Sequence, residues 1–337
     1  MRDVAREAGV SVNTVSRALA GKPDVSPKTR AKVLAVARRL GYRPNKLARG
    51  LRSNKTFTIG VIVTDIANPF FAELVKGVEE AARQNGYSIL LEDTSEDPEK
   101  EATAIQVMLA ERVDGLLITP VQSARDTLEE VLESEFPTVL MGRYFPDLKI
   151  PYVVTDDVRG AILATKHLID LGHRNIAHVG GPLHISSAQD RLSGYRQTLQ
   201  AYGIPIREEY VLTGAVTLED GYEAGKELLK LKPLPTAVFA YSDFVAIGLM
   251  QSLLDEGLCI PDDVSLIGYD NIIFSAYTRV PLTTVEISKR DLGREAVKLL
   301  LRLLKSGSTS KRQSKKLSVK LVLRQSVSRA KKGRGIQ

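Results

Sequence analysis

The order of apolar and polar positions divides the chain into a short head and a long body. In residues 1–42 apolar residues recur every three or four positions, which is the period of amphipathic helices. The pattern predicts three helices, at about 2–8, 12–19 and 27–40. Gly9 and Gly41 stand where the first and the third should end, because a residue without a Cβ can turn left-handed at little cost. The head is therefore predicted to be all α-helical.

Beyond residue 57 short apolar runs alternate with helical stretches. The run at 59–63, IGVIV, suits a strand that is buried on both faces, and a helix is predicted to follow it. The alternation continues to about residue 141, and a second series of helices and strands runs from about 157 to 268. Two such series predict an α/β body made of two doubly wound subdomains, each with a parallel sheet.

The remaining segments of the body are expected to link the two subdomains. The segment LTTVEIS (282–288) is interpreted as a connection into a helix at 289–304, and the last strand is expected at about 317–324. Crossings between the subdomains are expected near residues 157, 286 and 318. The predicted boundaries are a head at 1–44, a hinge at 45–56, a body at 57–330 (first subdomain about 57–157 and 287–316, second about 158–285 and 317–330) and a disordered tail at 331–337.

The stretch GVSVNTVSRAL (9–19) carries the most specific local signal. Two short helices joined by a turn that contains glycine form a helix-turn-helix motif, whose second helix enters the major groove of DNA. Val12, Asn13 and Arg17 suit base edges, because valine can contact a thymine methyl, asparagine can pair with adenine and arginine with guanine. Ser11 is placed to cap the same helix. The DNA-binding residues predicted here are Ser11, Val12, Asn13, Thr14, Ser16 and Arg17.

The distribution of charge separates this motif from an ordinary three-helix domain. Residues 1–56 hold 14 lysines and arginines against 3 acidic residues, a net charge of +11. Residues 57–301 hold 21 against 37, a net of −16, and residues 302–337 hold 12 with no acid. A basic head suits a polyanion, and an acidic body discourages the rest of the chain from lying on DNA. Double-stranded DNA is therefore the predicted partner.

Residues 45–53, NKLARGLRS, read either as a plain linker or as a segment that folds on DNA. Asn45 could cap one or two helical turns, but a helix this short is marginal by itself. Two leucines stand among three basic residues, and a leucine can act as a wedge between base steps in the minor groove. The residues assigned to DNA contact in this hinge are Asn45, Ala48, Leu51 and Arg52.

Several other classes of protein are disfavoured. The single Cys259 excludes an intrachain disulfide and a cysteine-based metal site, and the four histidines show no zinc spacing. No apolar run reaches membrane-spanning length and the chain does not open on a signal peptide, so a cytoplasmic, nucleoid-associated protein is expected. The serines of the body have no convincing paired base and no G-x-S-x-G elbow. We therefore expect no enzyme activity and no cofactor.

The chain resembles the lactose-repressor (LacI/GalR) family of bacterial transcription regulators. The resemblance rests on DVAREAGVSVNTVSRAL and VSPKTRAKVLAVARRLGYRPNKLARGL in the head and hinge. It continues in the body through TIGVIVTDIANPFFAELVKGVEEAARQNGY, HLIDLGHRNIAHVGGP, PTAVFAYSD and DDVSLIGYDN, to about residue 326. The resemblance implies a periplasmic-binding-protein-like body, a homodimer on a pseudo-palindromic operator, and a small sugar or nucleoside effector in the cleft between the subdomains.

The resemblance also implies where the effector binds. The family's contact positions fall at the ends of predicted strands, where ligands of open α/β sheets bind. For Arg191 and Asp270 a structural ion pair is the alternative to ligand contact. Gly142 and Ser242 stand where sugar-responsive members often carry Asp and Asn, which leaves a nucleoside or a modified sugar open. The effector-binding residues implied are Phe70, Arg143, Arg191, Phe239, Tyr241, Ser242 and Asp270.

Two rival functions fit part of the chain. The body alone would suit a binding-only solute receptor, but such a receptor does not need the basic head. A sugar- or nucleoside-processing enzyme would need catalytic groups that the motifs do not supply. A dimer is the expected assembly, because the C-terminal tail lacks the leucine heptads of a coiled coil.

Overall fold

The computed structural model describes residues 1–19, 21–42, 55–123, 125–306 and 314–331. The chain forms two compact units, Met1–Phe57 and Thr58–Gln337. The first unit contains the helical head, and the second contains the two-lobed α/β body.

Three helices form the head, as predicted: α1 (Arg2–Ala8), α2 (Val12–Leu19) and α3 (Pro27–Arg39). Ser11 and Ser26 cap α2 and α3, since their hydroxyls accept from the N–H groups of Thr14 (3.0 Å) and Thr29 (3.2 Å). Gly9 ends α1 with a positive φ of 64°. The small core is made of Val4, Ala5, Ala8, Val15, Ala18, Val25, Val33, Val36 and Ala37.

The body contains twelve strands, eight α-helices and two short 3-10 helices (Glu208–Tyr210 and Ile273–Ala276) in its described part. From Thr58 to Thr155 they are β1 (Thr58–Val63), α4 (Pro69–Gln84), β2 (Ser88–Asp93), α5 (Pro98–Ala110), β3 (Gly115–Ile118), α6 (Asp126–Glu133), β4 (Thr138–Met141) and β5 (Tyr152–Thr155). From Asp157 to Val322 they are α7 (Asp157–Asp170), β6 (Ile176–Val179), α8 (Ser186–Ala201), β7 (Val211–Leu212), α9 (Leu218–Leu229), β8 (Ala237–Ala240), α10 (Asp243–Asp255), β9 (Ser265–Asp270), β10 (Thr283–Ile287), α11 (Lys289–Ser306), β11 (Lys315–Leu317) and β12 (Val319–Val322).

These elements build two six-stranded sheets, one in each lobe. The first has the order β11-β5-β4-β3-β1-β2 and is parallel throughout. The second has the order β12-β10-β9-β8-β6-β7 and is parallel except for β12, which runs antiparallel to β10. Apolar clusters lie on both faces of each sheet, which is why the strands read as continuous apolar runs. The predicted doubly wound architecture is confirmed.

The chain passes from one sheet to the other three times, at Asp156, Ser288 and Ser318. The crossings expected from the sequence were near 157, 286 and 318. The three connections lie between β5 and α7, between β10 and α11, and between β11 and β12. Both lobes are therefore built from discontinuous parts of the chain.

One expectation for the body was wrong, and two strands were not predicted. LTTVEIS is not a connection: Thr283–Ile287 form β10, whose two threonines are fully buried between β9 and β12. Because their hydroxyls are polar, the segment was interpreted as a connection, although β-branched residues such as threonine are typical of strands. The last strand expected at 317–324 is β12 (Val319–Val322), whereas the short strand β11 just before it, which belongs to the other sheet, was not predicted. The strand at Tyr152–Thr155 was not predicted.

Candidate nucleic-acid interface and ligand cavity

Helix α2 of the head separates a buried face from an outward face. Val15 and Ala18 are buried against the other two helices. Val12 is 41% exposed, and Asn13 and Arg17 are exposed as well. The predicted base-reading side chains therefore point away from the core of the head. Thr14 and Ser16 are half-buried, and Ser11 is exposed at the start of the helix.

Arg17 forms an ion pair with Asp24, which was not predicted from the sequence. Asp24 lies in the turn between α2 and α3, and both side chains remain about half exposed, at 49% and 44%. The pair orients the guanidinium without removing it from solvent. The four hinge residues assigned to DNA contact, Asn45, Ala48, Leu51 and Arg52, lie outside the described residues.

A cavity of about 640 Å3 lies between the two lobes of the body. Its walls come mainly from the carboxyl ends of strands in both sheets, as expected for open α/β sheets. Five of the seven predicted effector residues line it: Phe70, Arg143, Arg191, Tyr241 and Asp270. It is also lined by polar residues that were not predicted, among them Thr64, Asp65, Asp93, Glu96, Thr119 and Ser187.

Arg191 is the most highly connected side chain of the cavity. Its Nε donates to Asp157 Oδ1 (3.0 Å) and its Nη1 to the carbonyl of Tyr241 (2.6 Å), and its Nη2 lies 3.5 Å from Asp270 Oδ1. The guanidinium also stacks over Tyr269, 3.7 Å from the ring centroid. Burial alone would lower the pKa of Arg191, but the two carboxylates raise it above its ordinary value. Arg191 thus belongs to a structural ion-pair network and to the cavity wall at once.

Asp270 ends β9 in a strained backbone conformation. Its φ is 102° and that of Asn271 is 50°, values that L-residues rarely adopt. Burial raises the pKa of Asp270 to about 7, although the charge of Arg191 acts in the opposite direction. Lys289, at the start of α11, donates to the carbonyls of Asp270 (2.5 Å) and Asn271 (2.9 Å) and holds this turn.

Arg143 follows β4 and is paired in the same way. It donates to both oxygens of Glu96, one bond being 2.9 Å long, and to the carbonyl of Pro120 (3.0 Å). The fully buried Glu101 lies near Arg143, and its Oε2 accepts from the N–H of Val121 (2.8 Å). Burial raises the pKa of Glu101 to about 7. Both arginines of the cavity are therefore already neutralised by protein carboxylates.

Aromatic rings supply the apolar part of the wall. Phe70 packs edge-on against Phe71, with ring centroids 4.9 Å apart. Tyr241 lies across the cavity, and its hydroxyl is 3.2 Å from Ser187 Oγ. Such rings can cover the apolar face of a sugar or a base. Gly142, next to Arg143, adopts φ 72°.

Two predicted effector residues are not among those lining the cavity. Phe239 is fully buried in the second lobe and stacks on His178 at 4.9 Å. Ser242 caps α10, its hydroxyl accepting from the N–H of Val245 (3.2 Å). The missed polar residues Thr64, Asp65 and Asp93 directly follow or end apolar strands, and this was the signal that could have identified them.

The described residues contain no cluster of His, Cys, Asp and Glu side chains able to hold a metal ion. None of their helices combines the length and the apolar character that a membrane span requires.

A helix-turn-helix head joined to a two-lobed sensor body defines a ligand-responsive DNA-binding regulator. Comparison with protein-family models agrees with this class. The model of bacterial regulatory proteins of the lacI family matches residues 1–45. The model of periplasmic binding proteins and the sugar binding domain of the LacI family matches residues 56–322. The chain therefore belongs to the LacI family of DNA-binding transcription regulators.

Individual relatives extend over nearly the whole chain. Catabolite control protein A of Priestia megaterium is 41% identical over 304 residues, which are 90% of this chain and 91% of that protein. The transcriptional repressor PurR of Actinobacillus pleuropneumoniae is 37% identical and covers 97% and 98% of the two chains. The solved structure of the lac repressor dimer bound to operator and the anti-inducer ONPF has a TM-score of 0.85 at 31% identity, over 97% and 98% of the chains. These relatives are regulators, not enzymes.

Proposed function

We propose that the chain is a transcriptional repressor that binds a pseudo-palindromic operator as a homodimer and is controlled by a neutral sugar or nucleoside. One observation carries the proposal. A single chain joins an outward-facing recognition helix to a polar and aromatic cavity at the strand ends of two lobes. As an operator-binding protein, it would act in the cytoplasm, at the nucleoid.

The DNA-reading surface is proposed to be the exposed side of α2 together with the hinge. Val12, Asn13 and Arg17 would contact base edges, while Ser11, Thr14 and Ser16 hold the helix start and the neighbouring phosphates. From the hinge, Asn45, Ala48, Leu51 and Arg52 would complete the contact, with Leu51 as a minor-groove wedge. The net charge of +11 on residues 1–56 supplies the attraction to the phosphate backbone.

The pairing of charges in the cavity favours a neutral ligand. Arg143 and Arg191 are the basic lining residues, against the carboxylates of Asp65, Asp93, Glu96 and Asp270. A phosphorylated ligand would meet a wall of net negative charge, because both arginines are already paired with protein carboxylates. Vicinal hydroxyls, in contrast, can bond to a carboxylate and a guanidinium without adding charge, and Phe70 and Tyr241 can cover a ring. We assign effector contact to Phe70, Arg143, Arg191, Tyr241 and Asp270.

The second lobe carries an apolar surface that we assign to the partner copy. Ile273, Phe274 and Tyr277 lie on or beside one short 3-10 helix and are 68%, 53% and 83% exposed. Leu323 is exposed as well. Large apolar side chains grouped in this way are typical of protein interfaces. The similar lac repressor is a dimer on its operator, which makes a second copy of this chain the occupant.

The proposal is tested with the full-length protein in two linked measurements. Selection from fragmented genomic DNA, followed by footprinting, should yield protected sites with two-fold symmetry. A thermal-shift screen of sugars, nucleosides and their phosphates should find a neutral compound that raises Tm, since a ligand that binds only the folded state stabilises it. That compound should change operator affinity. Absence of any symmetric protected site, with and without such compounds, would contradict the proposal.

A further inference from the structure

Four side chains from the two lobes meet beside the cavity. Gln122 and Tyr144 follow β3 and β4 of the first lobe, and Ser186 and Asp190 lie in the first two turns of α8 in the second lobe. The next residue of α8 is Arg191, which reaches the cavity. Contacts at this point therefore join the first lobe to the helix that carries the main charged residue of the cavity wall.

The start of α8 is capped from the opposite lobe. Its own N-cap residue, Ile185, offers no side-chain hydrogen bond to the free N–H groups of the first turn. The N–H of Ser186 donates instead to Gln122 Oε1 (2.9 Å). Gln122 is held in the left-handed region, with φ 64°. A residue with strained backbone thus supplies the cap that the helix lacks.

The same residues close a ring of hydrogen bonds. Gln122 Nε2 donates to the carbonyl of Tyr144 (2.8 Å), and the N–H of Tyr144 donates to Ser186 Oγ (3.0 Å). Ser186 completes the ring through its own N–H, and it is only 5% exposed. Two of the three bonds cross between the lobes, so the ring exists only at this interlobe angle.

A fourth contact extends the ring along α8. The hydroxyl of Tyr144 lies 3.3 Å from each carboxylate oxygen of Asp190 and donates to it. The ring of Tyr144 is held in place by stacking on Tyr152 of β5, with centroids 4.8 Å apart and planes at 27°. Because Tyr152 belongs to the first lobe, Tyr144 is pre-positioned there and reaches across to the second.

We propose that Gln122, Tyr144, Ser186 and Asp190 form an interlobe latch, which holds the two lobes at the angle of this structure without help from a ligand. Opening the lobes would break three hydrogen bonds and uncap α8, whereas an effector in the cavity would add to a closure that already exists. The latch therefore sets the resting balance between conformations that the effector shifts. This inference goes beyond the proposed function, because it concerns lobe closure whatever the effector is.

The test measures the interlobe distance in the full-length, ligand-free protein. Spin labels are placed at Glu111→Cys in the first lobe and Glu227→Cys in the second, both exposed sites, in a Cys259→Ser background. Labelled protein is diluted with unlabelled protein so that each dimer carries one labelled subunit. Double electron–electron resonance should give one narrow distance for the parent. The pair Tyr144→Phe, Ser186→Ala should add a second, different distance, with the closed-to-open ratio reduced about 2- to 10-fold for each hydrogen bond lost.

The matched control removes two hydrogen bonds that lie within the second lobe, one between a tyrosine and an aspartate and one between a glutamine and a serine. Tyr222→Phe deletes the bond to Asp255 (3.2 Å), and Ser193→Ala deletes the bond from Gln197 (2.8 Å) on the same helix α8. This control should keep the single parental distance. Tyr144→Phe alone, which removes one hydroxyl, is used if the double variant does not fold. Superimposable distances for parent and folded latch variants would overturn the latch, and would leave the DNA and ligand measurements of the proposed function untouched.

Discussion

The head and the cavity use arginine in opposite ways. On the outer face of α2, Arg17 is about half exposed and lies in a segment with a large net positive charge. In the cavity, Arg143 and Arg191 are about 5% exposed and each is bonded to a carboxylate. A solvated cation keeps its charge available for a polyanion, whereas a buried one must be neutralised by the protein. The surface is therefore built to attract charge, and the cavity to order uncharged hydroxyls.

The strongest test of this contrast is Arg191→Ala. The substitution leaves Asp157 and Asp270 buried without their counter-charge, so the free energy of unfolding should fall by about 3–5 kcal/mol at neutral pH. Chemical denaturation measures the loss. Arg196→Ala is the matched control, because it removes an exposed ion pair with Glu208 from the same helix. A loss for Arg191→Ala no larger than the control's would mean that the network is not the buried charge balance described here.

Glu101→Gln tests whether a buried carboxyl near the cavity carries a stability cost. The pKa of Glu101 rises from an ordinary 4.5 to about 7, so the folded state holds its proton over a pH range where the unfolded chain has lost it. The contribution of Glu101 to the free energy of unfolding is fully present below pH 4.5 and is lost as the pH rises through 7. Relative to the parent, the variant should therefore gain up to about 3 kcal/mol between pH 5 and 8.

The pH series includes Glu73→Gln, for which the expected change in the free energy of unfolding has the opposite sign. Ion pairs with Arg290 and Lys76 lower the pKa of Glu73 to about 2. Its contribution is present above the unfolded pKa and is lost as the pH falls, so Glu73→Gln should lose stability at neutral pH and not at pH 2. Urea denaturation of all three proteins across the pH range separates the cases. A pH-independent difference between Glu101→Gln and the parent would contradict the raised pKa.

Arg17→Ala tests the other side of the comparison. Because its guanidinium is solvated, removing it should leave the free energy of unfolding within about 1 kcal/mol of the parent. Specific operator binding should weaken by about 1–3 kcal/mol, with lost discrimination at one base pair. Titration of operator and single-base variants by fluorescence anisotropy measures both. Equal weakening on all sequences would assign Arg17 to the phosphates instead.

Features set by neighbouring residues could be predicted from the sequence, whereas contacts between residues far apart in the chain could not. Helices α1, α2 and α3, the capping by Ser11 and the two α/β series followed from local patterns that sum over neighbouring residues. The cavity residues at strand ends could be proposed because parallel strands end at a common edge. The pairing of Arg191 with Asp157 could not, since Asp157 is 34 positions away and meets Arg191 only in the folded lobe.

Other differences between the prediction and the structure have local causes. Phe239 was placed in the wall by resemblance, but it lies inside β8 and packs in the core of the second lobe, whereas Tyr241 follows the end of that strand and lines the cavity. Strand β10 was hidden because buried threonines resemble a polar connection in the sequence. The Arg17–Asp24 pair was missed because a turn residue can face either way, and no periodicity constrains it.

Asp24→Asn gives the smallest effect and the finest test of the comparison. The pair with Arg17 is exposed, so its loss should change the free energy of unfolding by less than about 1 kcal/mol. Removing a negative charge beside the recognition helix should tighten binding to non-specific DNA, most clearly at low salt. If Asp24 also orients Arg17, discrimination at the guanine should fall while overall affinity rises. Unchanged discrimination would show that Arg17 recognises its base without Asp24, as expected for a solvated guanidinium that protein contacts do not hold in place.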